Sequence, residues 1–235
     1  MGFISRFLIL FLIFITLPVR PVWAEMVCPH EQAQVDVKIR YVPSDEDKSV
    51  SARVITAGLR EKLNSLSMLK RDIFDGVTLQ NIVTTFKFIS TIRSDQTHNS
   101  VCMSIRKLTY TFVYVPQVYI ASESAKLPCR YKVVAMHEQR HVDTTGQVIV
   151  MYVPQVKKAL EDYLNGLPPS EPVPPDDVPI RQDILKKGII DAVSPVLKRF
   201  QEENRQRNAV YDTPENYARE QALCPPGEIP YVEQP

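Results

Sequence analysis

The run His137-Glu138-Gln139-Arg140-His141, entered through Cys129-Arg130-Tyr131-Lys132-Val133-Val134-Ala135-Met136, decides how the rest of the chain is read. The leading segment has helical character, and residues four apart on a helix lie on one face, one turn above the other. Two imidazoles so placed can hold one zinc ion at about 2.0–2.1 Å each. Glu138 lies about 100° round the helix from His137, within reach of a water at such an ion. Two ligands, an open position and a carboxylate base are what a zinc hydrolase needs. The bland alternative is a solvated polar helix face. Against it, only four histidines occur in the chain and two stand here, beside an apolar run that suits a helix packed on a core.

A catalytic zinc takes three protein ligands. Val142-Asp143-Thr144-Thr145-Gly146-Gln147 follows His141, without the third histidine of the longer H-E-x-x-H-x-x-G-x-x-H signature. Asp143 points about 200° away from His141 and is no ligand. Glu161 is the expected third ligand, provided the chain turns back near Gly146. On an unbroken helix it would lie about 30 Å away. Glu202, Glu203, Asp212 and Glu215 stand in reserve. Tyr131, Tyr152, Tyr211 and Tyr217 are candidates for a hydroxyl that steadies a developing oxyanion.

Upstream, residues 1–24 read as a secretory signal: Arg6, an apolar stretch from Phe7 to Leu17, and Val22-Trp23-Ala24 as a small-residue cleavage site. Export to the periplasm or beyond follows, and no later segment is apolar enough to cross a membrane. Loss of Arg6 and Arg20 with the signal takes the formal charge from +1 to −1, which leaves no basic excess for nucleic acid. Cys28, Cys102, Cys129 and Cys224 remain, and an even count in an exported chain points to two disulfides. Of three pairings, Cys102–Cys129 and Cys28–Cys224 are preferred, the first closing the segment before the zinc helix and the second joining the ends.

Periodicity places the elements. Residues 34–42 alternate as a half-buried strand, residues 50–69 have helical spacing, and Asp75-Gly76 signals a turn. Residues 77–92 are rich in β-branched and aromatic side chains. Residues 109–115 and 118–121 are the most strand-like, and Pro116 between them argues for an edge strand or a bulge. As an edge beside a cleft, that strand could pair with an extended peptide. The zinc helix starts near Arg130, and a second helix or a kinked continuation, bent at Pro154, runs to Leu164. Residues 166–179 hold six prolines in fourteen positions, a stiff extended connector. A helix over 180–208 follows, and Asp212-Thr213-Pro214-Glu215 opens a last one ending near Cys224.

The expected fold is α+β: a small, mainly antiparallel sheet packed on the H-E-x-x-H helix, with further helices at the C-terminal end. The expected organisation is a signal (1–24), an α+β domain (25–165), the connector (166–179) and a helical segment (180–235) packing on that domain. The stretch from Cys102 to Leu164, with Val118-Tyr119-Ile120-Ala121, Cys129 and the H-E-x-x-H helix, together with Asp212-Thr213-Pro214-Glu215-Asn216-Tyr217, resembles the zincin-like secreted bacterial proteins held to be zinc-dependent proteases. The resemblance implies His137 and His141 as zinc ligands, Glu138 as general base, and a peptide or protein substrate. Two other readings remain: an envelope protein whose metal site is not catalytic, and a partner-binding module without metal.

Overall fold

The computed structural model describes residues 27–29, 31–63 and 73–228, with the side chains of 59–63 left aside. The signal segment falls outside the described residues. Among them the elements run β1 (Gln34–Tyr41), β2 (Asp45–Asp47), α1 (Ala52–Leu63), β3 (Gly76–Asp95), β4 (Ser100–Ile120), α2 (Pro128–Asn165), α3 (Val178–Ala209) and α4 (Pro214–Gln221). The architecture is α+β, as the periodicities predicted. None of the described helices is long and apolar enough to cross a membrane.

β4 is the spine of the sheet. Leu108, Tyr110, Phe112, Tyr114, Val118 and Ile120 alternate along it and are all buried, so one whole face turns to the core. β3 pairs with β4 in a long antiparallel hairpin. At its tip the Asp95 carboxylate accepts the Thr97 and His98 N–H groups (2.8 and 3.3 Å), and Asn99 takes a left-handed backbone, φ 45°. The other side of β4 corrects the expected mainly antiparallel sheet. β1 and β2 both pair with it in parallel, β1 against Lys107–Tyr114 and β2 against Gln117–Tyr119. The order β1/β2–β4–β3 leaves β3, not the 110–121 strand, as the edge beside the cleft described below.

Pro116 therefore sits mid-sheet, and the reason is local. The Tyr114 carbonyl accepts from Val42 N (2.9 Å), which directs that side of β4 towards β1 and β2. Two residues on, the Pro116 nitrogen faces the same side, in the gap between the end of the β1 ladder and the start of the β2 ladder. No donor is wanted there. Asp75 lies at a bend directly before β3, but it is more than a turn residue. It is buried, its carboxylate receives Arg130 Nε at 2.6 Å, and its carbonyl accepts Ala121 N at 2.7 Å.

α2 runs unbroken through both places where a break was expected. At Gly146 the Tyr41 ring packs in and its hydroxyl donates to the Gly146 carbonyl at 3.2 Å. Pro154 leaves the Val150 carbonyl without its helical partner, but Val150 is on the solvent side, where water can serve. α3 passes Pro195 in the same way, above an exposed Asp191. Residues 168–174 of the connector form no helix and are clipped to the sheet through Val173, which exchanges backbone hydrogen bonds with Val101 (2.8 and 2.9 Å). Its last part is not extended, since Pro175–Asp177 make a 3-10 turn and Pro179 already lies in α3. One apolar cluster joins the layers: Leu108, Tyr110, Phe112 and Tyr114 of β4, Val148, Ile149, Val156 and Leu160 of α2, and Ile189, Val193 and Phe200 of α3.

The disulfides also differ from the expected pairing. They are Cys28–Cys102 and Cys129–Cys224. The first fixes the N-terminal segment to β4. The second ties the first turn of α2 to the chain just past α4, where Glu228 also caps α2 by accepting the Cys129 N–H at 2.8 Å. Cys102 and Cys129 stand far apart, because the rest of β4, about 60 Å at 3.3 Å per residue, runs between Cys102 and the start of α2. Sequence proximity was a poor guide for that reason.

Candidate metal centre and cleft

His137 and His141 project from one face of α2, one turn apart, and both are buried. Their Nε2 atoms lie 3.2 Å from each other. Asp212, in the corner between α3 and α4, brings Oδ1 to 3.2 Å from His137 Nε2 and 3.1 Å from His141 Nε2. One donor atom from each of the three residues thus falls within 4.8 Å of the others.

The outward nitrogens are held as well. His141 Nδ1 is 2.8 Å from Asn208 Oδ1. That amide cannot be turned over, because its Nδ2 donates to the Asn204 carbonyl at 2.8 Å. His141 Nδ1 must therefore be the donor. His137 Nδ1 donates to the Glu220 carboxylate at 2.9 Å, and Arg140 holds the other oxygen of that carboxylate. With both Nδ1 atoms protonated, the neutral imidazoles present two Nε2 lone pairs to a carboxylate oxygen. Three acceptors facing one another repel unless a cation or a proton lies among them. Their separations are close to the edge, about 3.3 Å, of a tetrahedron drawn around an ion with bonds of about 2.0–2.1 Å. The donor set fits a metal ion.

Without metal, a proton takes that place. Burial alone would lower the His141 imidazole, but the hydrogen bond and charge of Asp212 outweigh it and lift the group to about 9. His137 is also raised, against its own burial, by the hydrogen bond to Asp212 and the charges of Glu138 and Glu220. The Asp212 carboxyl, although burial opposes it, is held well below the usual carboxylate range by the two imidazoles and Tyr217.

Glu138 is buried on the neighbouring side of α2, and its Oε2 accepts from Thr78 Oγ1 at 2.7 Å. Burial pushes its carboxyl above the ordinary value, with the two imidazoles pulling the other way. Gly76 makes room for it: a methyl at that position would stand 2.6 Å from Glu138 Oε1 and 2.7 Å from Val134. Tyr217 stacks on the His137 ring, centroids 5.0 Å apart, and its hydroxyl donates to Asp212 Oδ1 at 2.8 Å. Burial and the neighbouring Asp212 charge push that hydroxyl far up, so it stays protonated. Tyr211 stands edge-on to His141 and meets Thr144 Oγ1 at 3.1 Å.

The other named residues lie elsewhere. Glu161 is half-exposed, 3.6 Å from Lys157, about 30 Å past His141 along the unbroken helix. Glu202 and Glu203 pair with Arg205 and Arg207 on the surface of α3. Glu215 is exposed in the first turn of α4. Tyr131 bonds Lys48 and Glu46, and Tyr152 packs in the core against Phe200. Asn208, Glu220 and Thr78 carry no motif, and Gly76 stands in the sequence only as part of a turn signal. The one signal near the third donor is the helix start after Asp212, where Thr213 Oγ1 caps by accepting Asn216 N at 3.2 Å.

A cleft of about 630 Å³ opens onto this centre. β3, from Gly76 to Thr84, forms one wall and α3, from Leu197 to Ala209, the other, with Glu138, His141, Asp212 and Tyr217 at one end. No protein family, curated protein or solved structure matches the chain.

Proposed function

We propose that this chain is an exported zinc-dependent peptidase, with His137, His141 and Asp212 as the zinc ligands and Glu138 as general base. The observation that carries the reading is the convergence of two Nε2 lone pairs and one carboxylate oxygen beside a buried glutamate, at the end of an open cleft. Asp212 replaces Glu161 as the third ligand in this proposal. Two disulfides are in keeping with an oxidising compartment such as the periplasm or the exterior.

Zinc, when bound, polarises the substrate carbonyl and acidifies water. Glu138 takes a proton from the attacking water as its oxygen bonds to the peptide carbon. The C–N bond then breaks, and Glu138 delivers the proton to the departing amine, leaving a carboxylate and an amine. Its raised pKa suits a group that must both accept and return a proton. Tyr217, fixed by stacking on His137 and kept protonated, donates its one hydroxyl proton to Asp212 Oδ1 and so positions the third ligand. Thr78 and Gly76 hold Glu138 in place. The edge of β3 that has no strand partner among the described residues offers backbone groups to an extended peptide lying in the cleft.

Metal analysis of the purified chain and of Glu138→Ala tests the reading, beside hydrolysis of an unstructured protein. Both should carry about one zinc per chain, the count that three ligands and one open position imply, with hydrolysis lost only in the variant. Absence of zinc from both would overturn it.

A further inference from the structure

The cleft has two compartments. Asn204 of α3 donates through Nδ2 to Gln80 Oε1 of β3 at 2.7 Å, bridging the walls. On the near side lie Glu138, His141, Asp212 and Tyr217. On the far side Ile82, Phe112, Leu197 and Phe200 give an apolar chamber, with Thr84 and Gln201 at its margin. Phe112 and Phe200 pack on each other as its floor, centroids 6.0 Å apart, and are buried in the core, whereas Ile82 and Leu197 are only partly buried and face the opening.

Both walls give the same measure of distance from the chemistry. Asn204 is one turn, about 6 Å, from Asn208, which holds His141. Ile82 is four residues, about 13 Å, along β3 from Thr78, which holds Glu138. An extended peptide advances about 3.3 Å per residue, so the chamber lies two to four residues from the bond at the metal. The chamber is continuous with the catalytic compartment and flanked by a strand edge with no strand partner among the described residues. We infer that it is a specificity subsite for a large aliphatic or aromatic side chain of an extended peptide, reached across the Gln80–Asn204 bridge. The inference rests on the peptidase reading for its occupant. It makes the substrate an internal, apolar-containing stretch of polypeptide, not a single terminal residue.

The test uses fluorescein-labelled unstructured decapeptides in which Leu, Phe, Ala or Glu is moved through successive positions. Binding to the zinc-loaded Glu138→Gln chain is measured by anisotropy, and hydrolysis by the native chain is followed in parallel. At one fixed position Leu and Phe should bind at least tenfold more tightly than Ala, and Glu more weakly still. Leu197→Trp, which fills the chamber, and Ile82→Ser, which makes it polar, should each reduce that preference to less than threefold. Val83→Ala, on the outer face of β3, should leave it intact. Equal binding of all peptides, or a preference that survives both cleft variants, overturns the subsite. Selective binding without hydrolysis by the native chain keeps the subsite and overturns the peptidase reading. Hydrolysis without selectivity does the reverse.

Discussion

α2 has two halves built on one stripe. From Arg130 to Thr145 its buried side chains are mostly polar (Arg130, His137, Glu138, His141, Thr144 and Thr145, beside Val133 and Val134); from Val148 to Leu164 they are Val148, Ile149, Tyr152, Val156, Leu160 and Leu164. Spacing of three and four residues runs through both, so the same helix face changes from polar to apolar without losing register. In the apolar half the side chains fill space against β4 and α3, and shape is what matters. In the polar half each buried group has its own partner: Asp75 for Arg130, Glu220 for His137, Thr78 for Glu138, Asn208 for His141. Damage to one half should cost stability, and damage to the other should cost metal and activity.

The sharpest test of that contrast is Asp212→Ala. It should weaken zinc binding roughly a thousandfold, one ligand's share of the ~10–16 kcal/mol that a complete zinc site provides, while thermal unfolding of the metal-free chain changes little once pH exceeds about 9, where the Asp212–His141 ion pair is already lost. Competition with a chromogenic chelator measures the first and calorimetry the second. Equal zinc affinity in variant and native chain would break the assignment of Asp212.

Replacing Cys129 and Cys224 together by serine should cost about 3 to 4 kcal/mol in urea unfolding, from the loop that the bond closes in the unfolded chain. It should also lower zinc affinity, because the bond holds α4, and with it Glu220 and Tyr217, against the polar half. The matching Cys28/Cys102 replacement should lower stability alone. If both pairs affect zinc equally, the clamp is not specific to the site.

Leu160→Ala probes the apolar half. A fully buried leucine truncated in a packed core costs about 3 kcal/mol, read as a shift of the urea midpoint, with zinc stoichiometry unchanged. Loss of zinc would show the halves to be one cooperative unit.

The metal-free protein should also lose stability as pH rises. His141 titrates near 9 in the folded chain, against about 6.5 when unfolded. Its contribution is therefore complete below about pH 6.5 and is lost as pH rises towards 9. Thermal melts in chelator should decline over that window, and zinc-loaded protein should show no such decline. Smallest of all is Glu161→Ala. An exposed ion-paired carboxylate contributes at most about 0.5 kcal/mol, and neither zinc content nor activity should change.

What could be read from the sequence was whatever repeats over a few residues. H-E-x-x-H fixed the two imidazoles and the glutamate because helical geometry alone places them. Alternation along 109–115 and 118–121, and the spacing through 180–208, likewise gave β4 and α3. Asp212 was visible only as one acidic residue among several, since nothing local says which carboxylate the α3–α4 corner will bring back to α2. Glu161 looked better because it was nearer in sequence, and an unbroken helix defeated it. Asn208 and Glu220, which set the imidazole tautomers, gave no signal: an amide or a carboxylate on a helix is ordinary until its partner is known.

By itself, the sequence determined most of the elements and their buried faces, though not the unbroken run of α2 or the short β2, and one half of the candidate metal centre, because those follow from backbone geometry within a few turns. Tertiary structure alone decided the parallel partners of β4, the gap that accepts Pro116, the pairing of the four cysteines and the identity of the third donor. Each of these joins atoms dozens of residues apart. Contacts at that range are chosen by how whole layers pack, and packing leaves no periodic trace in the chain.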